Sequence, residues 1–235
     1  MTTLDVVIPV YNEEHVLANS VGTLRDFLQK NMASYQWTIV IANNASTDRT
    51  LDVAKELSQK YPDVRYVHLD QKGRGRALRK SWLESPSNIL CYMDVDLSTD
   101  LKHLPPLIGA ISSGYDVAIG SRLSSQSNIR RSLKREITSR GYNLMIRAMF
   151  FTRFSDAQCG FKAVSRKAAQ ALVPLIENQE LFFDTELLIL AEKKGFRVWE
   201  VPVEWIEDPD TRVNIVETAK EDIRGLLRMR FKAIP

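Results

Sequence analysis

Short apolar runs alternating with amphipathic stretches fill the first half of the chain, and that alternation leaves few folds open. Leu4 to Val10, Thr38 to Ala42, Val64 to His68, Ile89 to Met93 and Val117 to Gly120 are strand-length and largely apolar, as strands covered on both faces are. Between them Glu13 to Lys30, Thr47 to Lys60, Gly75 to Glu84 and Leu101 to Ser112 read as helices. Repeated units of this kind predict an α/β fold with a mostly parallel central sheet flanked by helices. The second half changes character: Ser132 to Phe151, Phe183 to Lys193 and Val216 to Phe231 read as helices, and Cys159 to Val164 and Arg197 to Val203 as strands.

In open α/β sheets ligands bind beyond the carboxyl ends of the strands. Those positions hold Tyr11-Asn12-Glu13, Asn43-Asn44, Asp70 to Arg76, Asp94-Val95-Asp96 and Ser121-Arg122, all rich in polar groups. Asp94 and Asp96 follow a strand end, where two carboxylates facing one cleft repel each other unless a cation neutralises them. Hard oxygen ligands of this type select Mg2+ or Mn2+. The same three residues also suit an acidic turn that caps the helix after Ser98. Pro9 stops the first strand's ladder and frees the backbone to turn toward a ligand. Tyr11 could then lie against a base or ribose and Glu13 accept from ribose hydroxyls, unless Asn12 or Glu13 merely starts a helix. Asn43 sits where an amide could read a base edge, and Ser46 or Thr47 is an N-cap candidate. Gly73-Arg74-Gly75-Arg76 lacks the third glycine of a dinucleotide loop. It reads instead as a basic loop, with Lys72 and Arg76 at the ligand crevice, opening a helix whose amides attract anions.

Charge and cysteine content narrow the class. A net charge of +3 from 32 basic and 29 acidic residues does not describe a nucleic-acid-binding protein. The basic residues gather at Lys72 to Lys80, Arg130 to Arg140 and Arg224 to Lys232, where they can meet phosphate or simply form solvated faces. Cys91 and Cys159 are the only cysteines, which excludes a disulfide framework and fits a reducing compartment. The amino terminus has no basic stretch before its first apolar run, so no secretory signal is expected. No apolar run approaches the ~20 residues needed to span a bilayer.

Taken in order, the first, second and fourth strand ends resemble the signatures of the family 2 glycosyltransferases with the GT-A fold. Gly73 to Ala77, Gly120-Ser121-Arg122, Asp156 to Lys162, Phe183 to Glu186 and Glu200 to Trp205 also fall in that family's order. Within it the chain is similar to polyprenyl- and dolichyl-phosphate mannosyl- and glucosyltransferases, over roughly Leu4 to Asn214. The resemblance implies a GT-A, Rossmann-like nucleotide-diphospho-sugar transferase fold. Residues 1–213 would form the catalytic domain, with a donor side over about 1–122 and an acceptor side over about 123–213. Residues 214–235 would add a basic amphipathic helix that can associate with a membrane.

The resemblance further implies that Pro9, Tyr11 and Glu13 border the nucleoside. Asp94 would lie against the ribose and sugar, Asp96 would bind the metal that bridges the diphosphate, and Arg212 would grip the donor phosphates. Arg122, Arg135 and Ser139 would hold the lipid phosphate, with Gln158 beside them on the acceptor side. Asn43 and Asn44 stand where the family carries an acidic pair whose first member reads the base, which leaves uridine and guanosine both open. Ser98 stands where some mannosyl relatives place a metal-binding Gln. Gln158 before Cys159-Gly160-Phe161 is closer to glucosyl-type members than to the mannosyl type, which favours UDP-glucose over GDP-mannose.

The implied reaction is inverting hexosyl transfer from a nucleotide-diphosphate sugar to a polyprenyl or dolichyl phosphate. A phosphate acceptor is already ionised near neutral pH and needs no strong base. A glycan hydroxyl acceptor would need one, with Asp156 or Asp184 as candidates. A catalytically silent nucleotide-sugar-binding module is the third reading. Tyr142 to Phe151 is apolar nearly all round and follows a basic stretch, which suits either an interfacial helix or a core helix. The expected location is the cytoplasm, peripheral on the cytoplasmic face of a membrane.

Overall fold

The computed structural model describes residues 1–130, 132–206 and 215–232. Its sheet grows outward from β1 (Thr2–Val10), flanked by β2 (Tyr35–Asn44) and β4 (Ile89–Met93), both parallel to it. β3 (Val64–Leu69) extends the β2 side in parallel. On the other side lie β7 (Phe161–Ser165), β5 (Val117–Ser121) and β8 (Val198–Pro202), giving the order β3-β2-β1-β4-β7-β5-β8. β5 and β8 are parallel to each other, whereas β7 runs antiparallel to both β4 and β5. One sheet therefore joins the two halves of the chain. A second, two-stranded parallel ribbon pairs β6 (Asn128–Arg130) with β9 (Glu204–Ile206).

The helices cover both faces of the sheet. α1 (Leu17–Asn31), α2 (Thr50–Lys60) and α4 (Leu104–Ser112) pack over one apolar cluster. α3 (Arg74–Leu83), α5 (Leu133–Phe150), α6 (Arg166–Leu172), α7 (Phe183–Lys193) and α8 (Ile215–Phe231) pack over the other. This two-sided burial is why β1 and β4 are nearly continuous runs of apolar residues. The expected α1 starts late, at Leu17, because Glu13 supplies a carbonyl to the Val16 and Leu17 amides rather than entering the helix. The N-cap expectation for Ser46 or Thr47 also fails: α2 begins at Thr50, and the Asp48 carboxylate accepts from the Thr50 amide at 2.9 Å.

α5 shows both faces that its sequence left open. Ile146 and Phe150 are buried in the core while Ile137, Leu144, Met145 and Phe151 at its end are exposed. α8 buries Leu226 and Met229 and is tied down by Arg228, which donates to Glu177 and Glu186 at 2.7 Å each. Among the described residues no helix is long and apolar enough to cross a membrane.

α8 also meets the core at Gly225, where an added Cβ would lie 2.4 Å from Cε1 of the buried Phe182 ring. Alanine is the better helix former by about 1 kcal/mol, but overpacking costs about 1–3 kcal/mol. Gly225→Ala is therefore expected to lower the thermal midpoint by several degrees in a melting experiment, and an unchanged or higher midpoint would refute this packing.

Candidate active site

Strand order reverses between β1 and β4, since β1 connects on to β2 on one side and the chain continues from β4 on the other. That switch point opens a crevice beyond the strand ends, and Tyr11 and Asp94 stand on its two sides. After β4 the backbone turns sharply, with Leu97 at φ 52° and the Asp96 carboxylate accepting from the Ser98 amide at 2.9 Å. The acidic turn anticipated as an alternative thus exists, yet it does not consume the carboxylates. Asp96 is exposed and the Asp94 side chain keeps 43% of its surface accessible. Two such oxygen donors can hold Mg2+ or Mn2+, which typically take the rest of their shell from phosphate oxygens and water. Among the described residues no group of three or more His, Cys, Asp or Glu forms a complete metal site. A cation held here would need its other ligands from bound substrate or solvent.

β7 runs against β4, so its first residue, not its last, lies at the ligand edge, with Phe161 paired to Met93. Gly160 consequently faces Asp94, and a Cβ there would lie 1.9 Å from the Asp94 Oδ2. On its other side Asp94 accepts an ion pair from Arg74 at 3.0 Å, and Arg74 reaches on to Asp184 at 3.8 Å. Lys162, wholly buried, pairs with Asp184 at 3.1 Å and donates to the Cys159 carbonyl at 2.6 Å. The Tyr92 hydroxyl donates to Asp184 as well.

The loops expected on the donor side are stitched to one another. Asn12, at φ 56°, donates its backbone amide to Ser46 Oγ at 3.0 Å and accepts on Oδ1 from the Thr47 amide at 2.8 Å. The Glu13 amide donates to Thr50 Oγ1 at 2.7 Å. Lys72 lies over the Tyr11 ring, 3.9 Å from its centroid. Pro9 does not stop the ladder as expected: it pairs in register with Ala42, and β1 runs on to Val10 opposite Asn43. Three further expectations change here. Asn43 is fully buried and donates to His68 Nδ1 at 2.7 Å, so its amide supports the neighbouring strand rather than opening to the cleft. Arg76 bonds Gln71, and Arg74 is the arginine that reaches Asp94, because residues two apart on a helix point to opposite sides. The α3 amides do not face the cleft: the Arg76 amide donates to the Gln179 carbonyl at 3.0 Å, and the Arg74 amide is bonded to Glu180. Arg212 lies outside the described residues, as does the boundary expected at 213/214.

The four acceptor-side candidates meet. Arg122, Arg135, Ser139 and Gln158 line one cavity of about 440 Å3 together with Arg74 and Asp184. Arg122 is clamped by the fully buried Asp156, Nε to Oδ2 at 2.8 Å and Nη2 to Oδ1 at 3.0 Å. Burial would raise the Asp156 carboxyl, but the Arg122 guanidinium and its hydrogen bonds hold it below the usual range. Ser139 Oγ is buried and has no hydrogen-bond partner among the described residues, and Gln158 donates to Asp222 on α8 at 3.0 Å. The cavity lining also includes apolar and aromatic side chains, among them Tyr142, Met145 and Ile223.

Sequence reasoning passed over Arg74, Lys162 and Asp222 as site residues. Two left a signal: a lysine inside a buried apolar strand, and a carboxylate at the i position of a buried i, i+4, i+7 stripe with Leu226 and Met229.

Comparison with known proteins agrees with this architecture. Residues 5–173 match the family described as Glycosyl transferase family 2. The chain is 36% identical over 225 residues to Glycosyltransferase AglD of Haloferax volcanii, covering 95% of this chain and 35% of that protein, so it spans about a third of that relative. It is 30% identical over 252 residues to the dolichyl-phosphate beta-glucosyltransferase of Saccharomyces cerevisiae, covering 97% of this chain and 75% of that protein. Among solved structures, glucosyl-3-phosphoglycerate synthase from Mycobacterium tuberculosis, crystallised with Mn2+, UDP-glucose and phosphoglyceric acid, superposes with a TM-score of 0.71. That match covers 97% of this chain and 79% of that one at 16% identity, a likeness of fold alone. A parallel sheet with one reversed strand, an Asp-x-Asp turn at its switch point and the matched segment 5–173 together place this chain in glycosyl transferase family 2, with the GT-A fold.

Proposed function

We propose that the chain moves a hexose, with inversion, from a nucleotide-diphosphate sugar to a polyprenyl or dolichyl phosphate. The observation that carries this reading is the cavity beside Asp94, whose lining combines arginines, and a buried serine hydroxyl that has no partner among the described residues, with the apolar or aromatic Tyr142, Met145 and Ile223. An anionic head on an apolar chain fits that mixed lining. Arg135 and Ser139 would hold the phosphate, and Arg122, kept rigid by Asp156, would orient it. An acceptor that arrives ionised needs no base, and both carboxylates considered for that task, Asp156 and Asp184, are held in ion pairs.

UDP-glucose is the favoured donor. The Gln158-Cys159-Gly160-Phe161 segment supports it, as do relatives named for beta-glucosyl transfer to dolichyl phosphate. Tyr11, Lys72, Pro9 and Glu13 would border the nucleoside, and Arg212 would contact the diphosphate. Mg2+ or Mn2+ at Asp94 and Asp96 would neutralise the charge developing on the departing diphosphate. The exposed Ile137, Leu144, Met145 and Phe151, with Ile223, Leu227 and Phe231 of α8, would rest on the cytoplasmic surface of the membrane that carries the acceptor.

UDP- and GDP-sugars tested against a short polyprenyl phosphate, with and without a divalent metal, decide the matter. Metal-dependent lipid-linked product from UDP-glucose is expected, and Asp96→Ala should abolish it. Extension of a free glycan with no lipid product would overturn the acceptor. Arg135→Ala removes a charge-assisted contact of about 1.5–3 kcal/mol. It should raise the acceptor KM roughly 10- to 100-fold and leave donor binding unchanged.

A further inference from the structure

The buried stripe of α8 runs through Asp222, Leu226 and Met229, so a carboxyl occupies a position whose period calls for an apolar side chain. No basic side chain lies within ion-pairing distance of it among the described residues. Its recorded partners are neutral: Gln158 Nε2 donates to Oδ2 at 3.0 Å, and the Tyr142 hydroxyl also bonds it. Asp222 lines the same cavity as Arg122, Arg135 and Ser139. A lone ionised carboxylate in the chamber that is to receive a phosphate would oppose binding, whereas a carboxylic acid would be one more donor aimed into it.

We propose that Asp222 belongs to the acceptor-phosphate subsite and acts there as a neutral carboxylic acid, donating a hydrogen bond to the phosphate and taking up a proton when the acceptor binds. The inference rests on the lipid-phosphate reading of the cavity. The titratable and polar groups that interact with Asp222 are Tyr142 of α5, Gln158 before β7, Asp184 of α7 and Glu221 of its own helix, and Arg135, Arg122 and Arg74 line the same cavity. Burial is the largest influence and pushes the carboxyl up to about 7; Glu221 and Asp184 add to this against the hydrogen bonds from Tyr142 and Gln158. A phosphate dianion in the cavity moves it further in the same direction. The free protein therefore loses this proton as pH rises past neutrality, and the complex keeps it.

The acceptor KM of the wild type should accordingly climb above neutral pH, by up to roughly tenfold per pH unit, with kcat changing little. Asp222→Asn retains an acceptor for Gln158 and a donor for phosphate without titrating, so its acceptor KM should stay level over that range. Calorimetry of farnesyl phosphate binding at about pH 8, where the free ligand is already a dianion, gives a second readout on the unaltered protein. Titrations in buffers of different ionisation enthalpy should show proton uptake that Asp222→Asn abolishes. Binding without proton uptake, or the same pH profile in both proteins, overturns the role of Asp222 and leaves the acceptor assignment standing. A wild type that binds no farnesyl phosphate overturns the acceptor assignment and this inference with it.

Discussion

Gly160→Ala is expected to cut turnover roughly 100-fold or more while the protein stays folded. The added Cβ would stand 1.9 Å from Asp94 Oδ2, 2.6 Å from its Cγ and 2.9 Å from Oδ1. Asp94 is too short to step aside without rotating its carboxylate out of place, and doing so breaks the 3.0 Å contact with Arg74. The damage falls on the side of the cleft proposed for donor and metal, so weaker Mn2+-dependent UDP binding should accompany the loss of kcat. Gly109→Ala on α4 is the control, because a Cβ there meets nothing within 4 Å, and it should retain full activity. Wild-type turnover in Gly160→Ala would mean that Asp94 has no fixed task.

Asp156→Ala should produce the largest loss of stability. The Arg122 side chain is only 13% exposed, and its guanidinium is matched by the two oxygens of the fully buried Asp156. Removing one partner of a buried pair leaves an uncompensated charge and costs about 3–5 kcal/mol. For a chain of this size the thermal midpoint should fall by roughly 10 °C. Pairing Asp156→Leu with Arg122→Met should recover much of that stability yet not acceptor use, which separates the fold's need for the pair from the reaction's. Because the folded state depresses the Asp156 pKa, its contribution is complete above the ordinary carboxylate range and is lost as pH falls through the folded value. The gap between wild type and Asp156→Ala should therefore narrow in strong acid. A gap that widens there would contradict the ion pair as the source of the stability.

The elements that were legible in the sequence are those whose pattern is local. Ile89–Met93 and Phe183–Lys193 were bounded correctly because an apolar run ending in charges, and an apolar helix between breaks, need no partner to be recognised. Short pieces were missed. β6 and β9 have three residues each and exist only through their pairing with each other, and α6 lies in a stretch that carried no clear signal. Within the candidate site, chemistry was readable and direction was not. Arg74 and Arg76 are equally basic on the page, but the rotation of a helix decides that Arg74 meets Asp94 while Arg76 turns to Gln71. Asn43 is polar at a strand end, and only its packing against His68 shows that it faces inward.

By itself the sequence determined the βα alternation and the Asp94-Val95-Asp96 turn, which rest on residue type, order and period; Arg122, Arg135 and Ser139 entered as acceptor candidates through the family resemblance. The tertiary structure alone decided the reversed course of β7, which sets Gly160 against Asp94, and the return of α8, which brings Asp222 into the cavity. Both depend on contacts between residues far apart in the chain. The free energy of such contacts comes from burial and pairing across the fold, and no local window of sequence contains it.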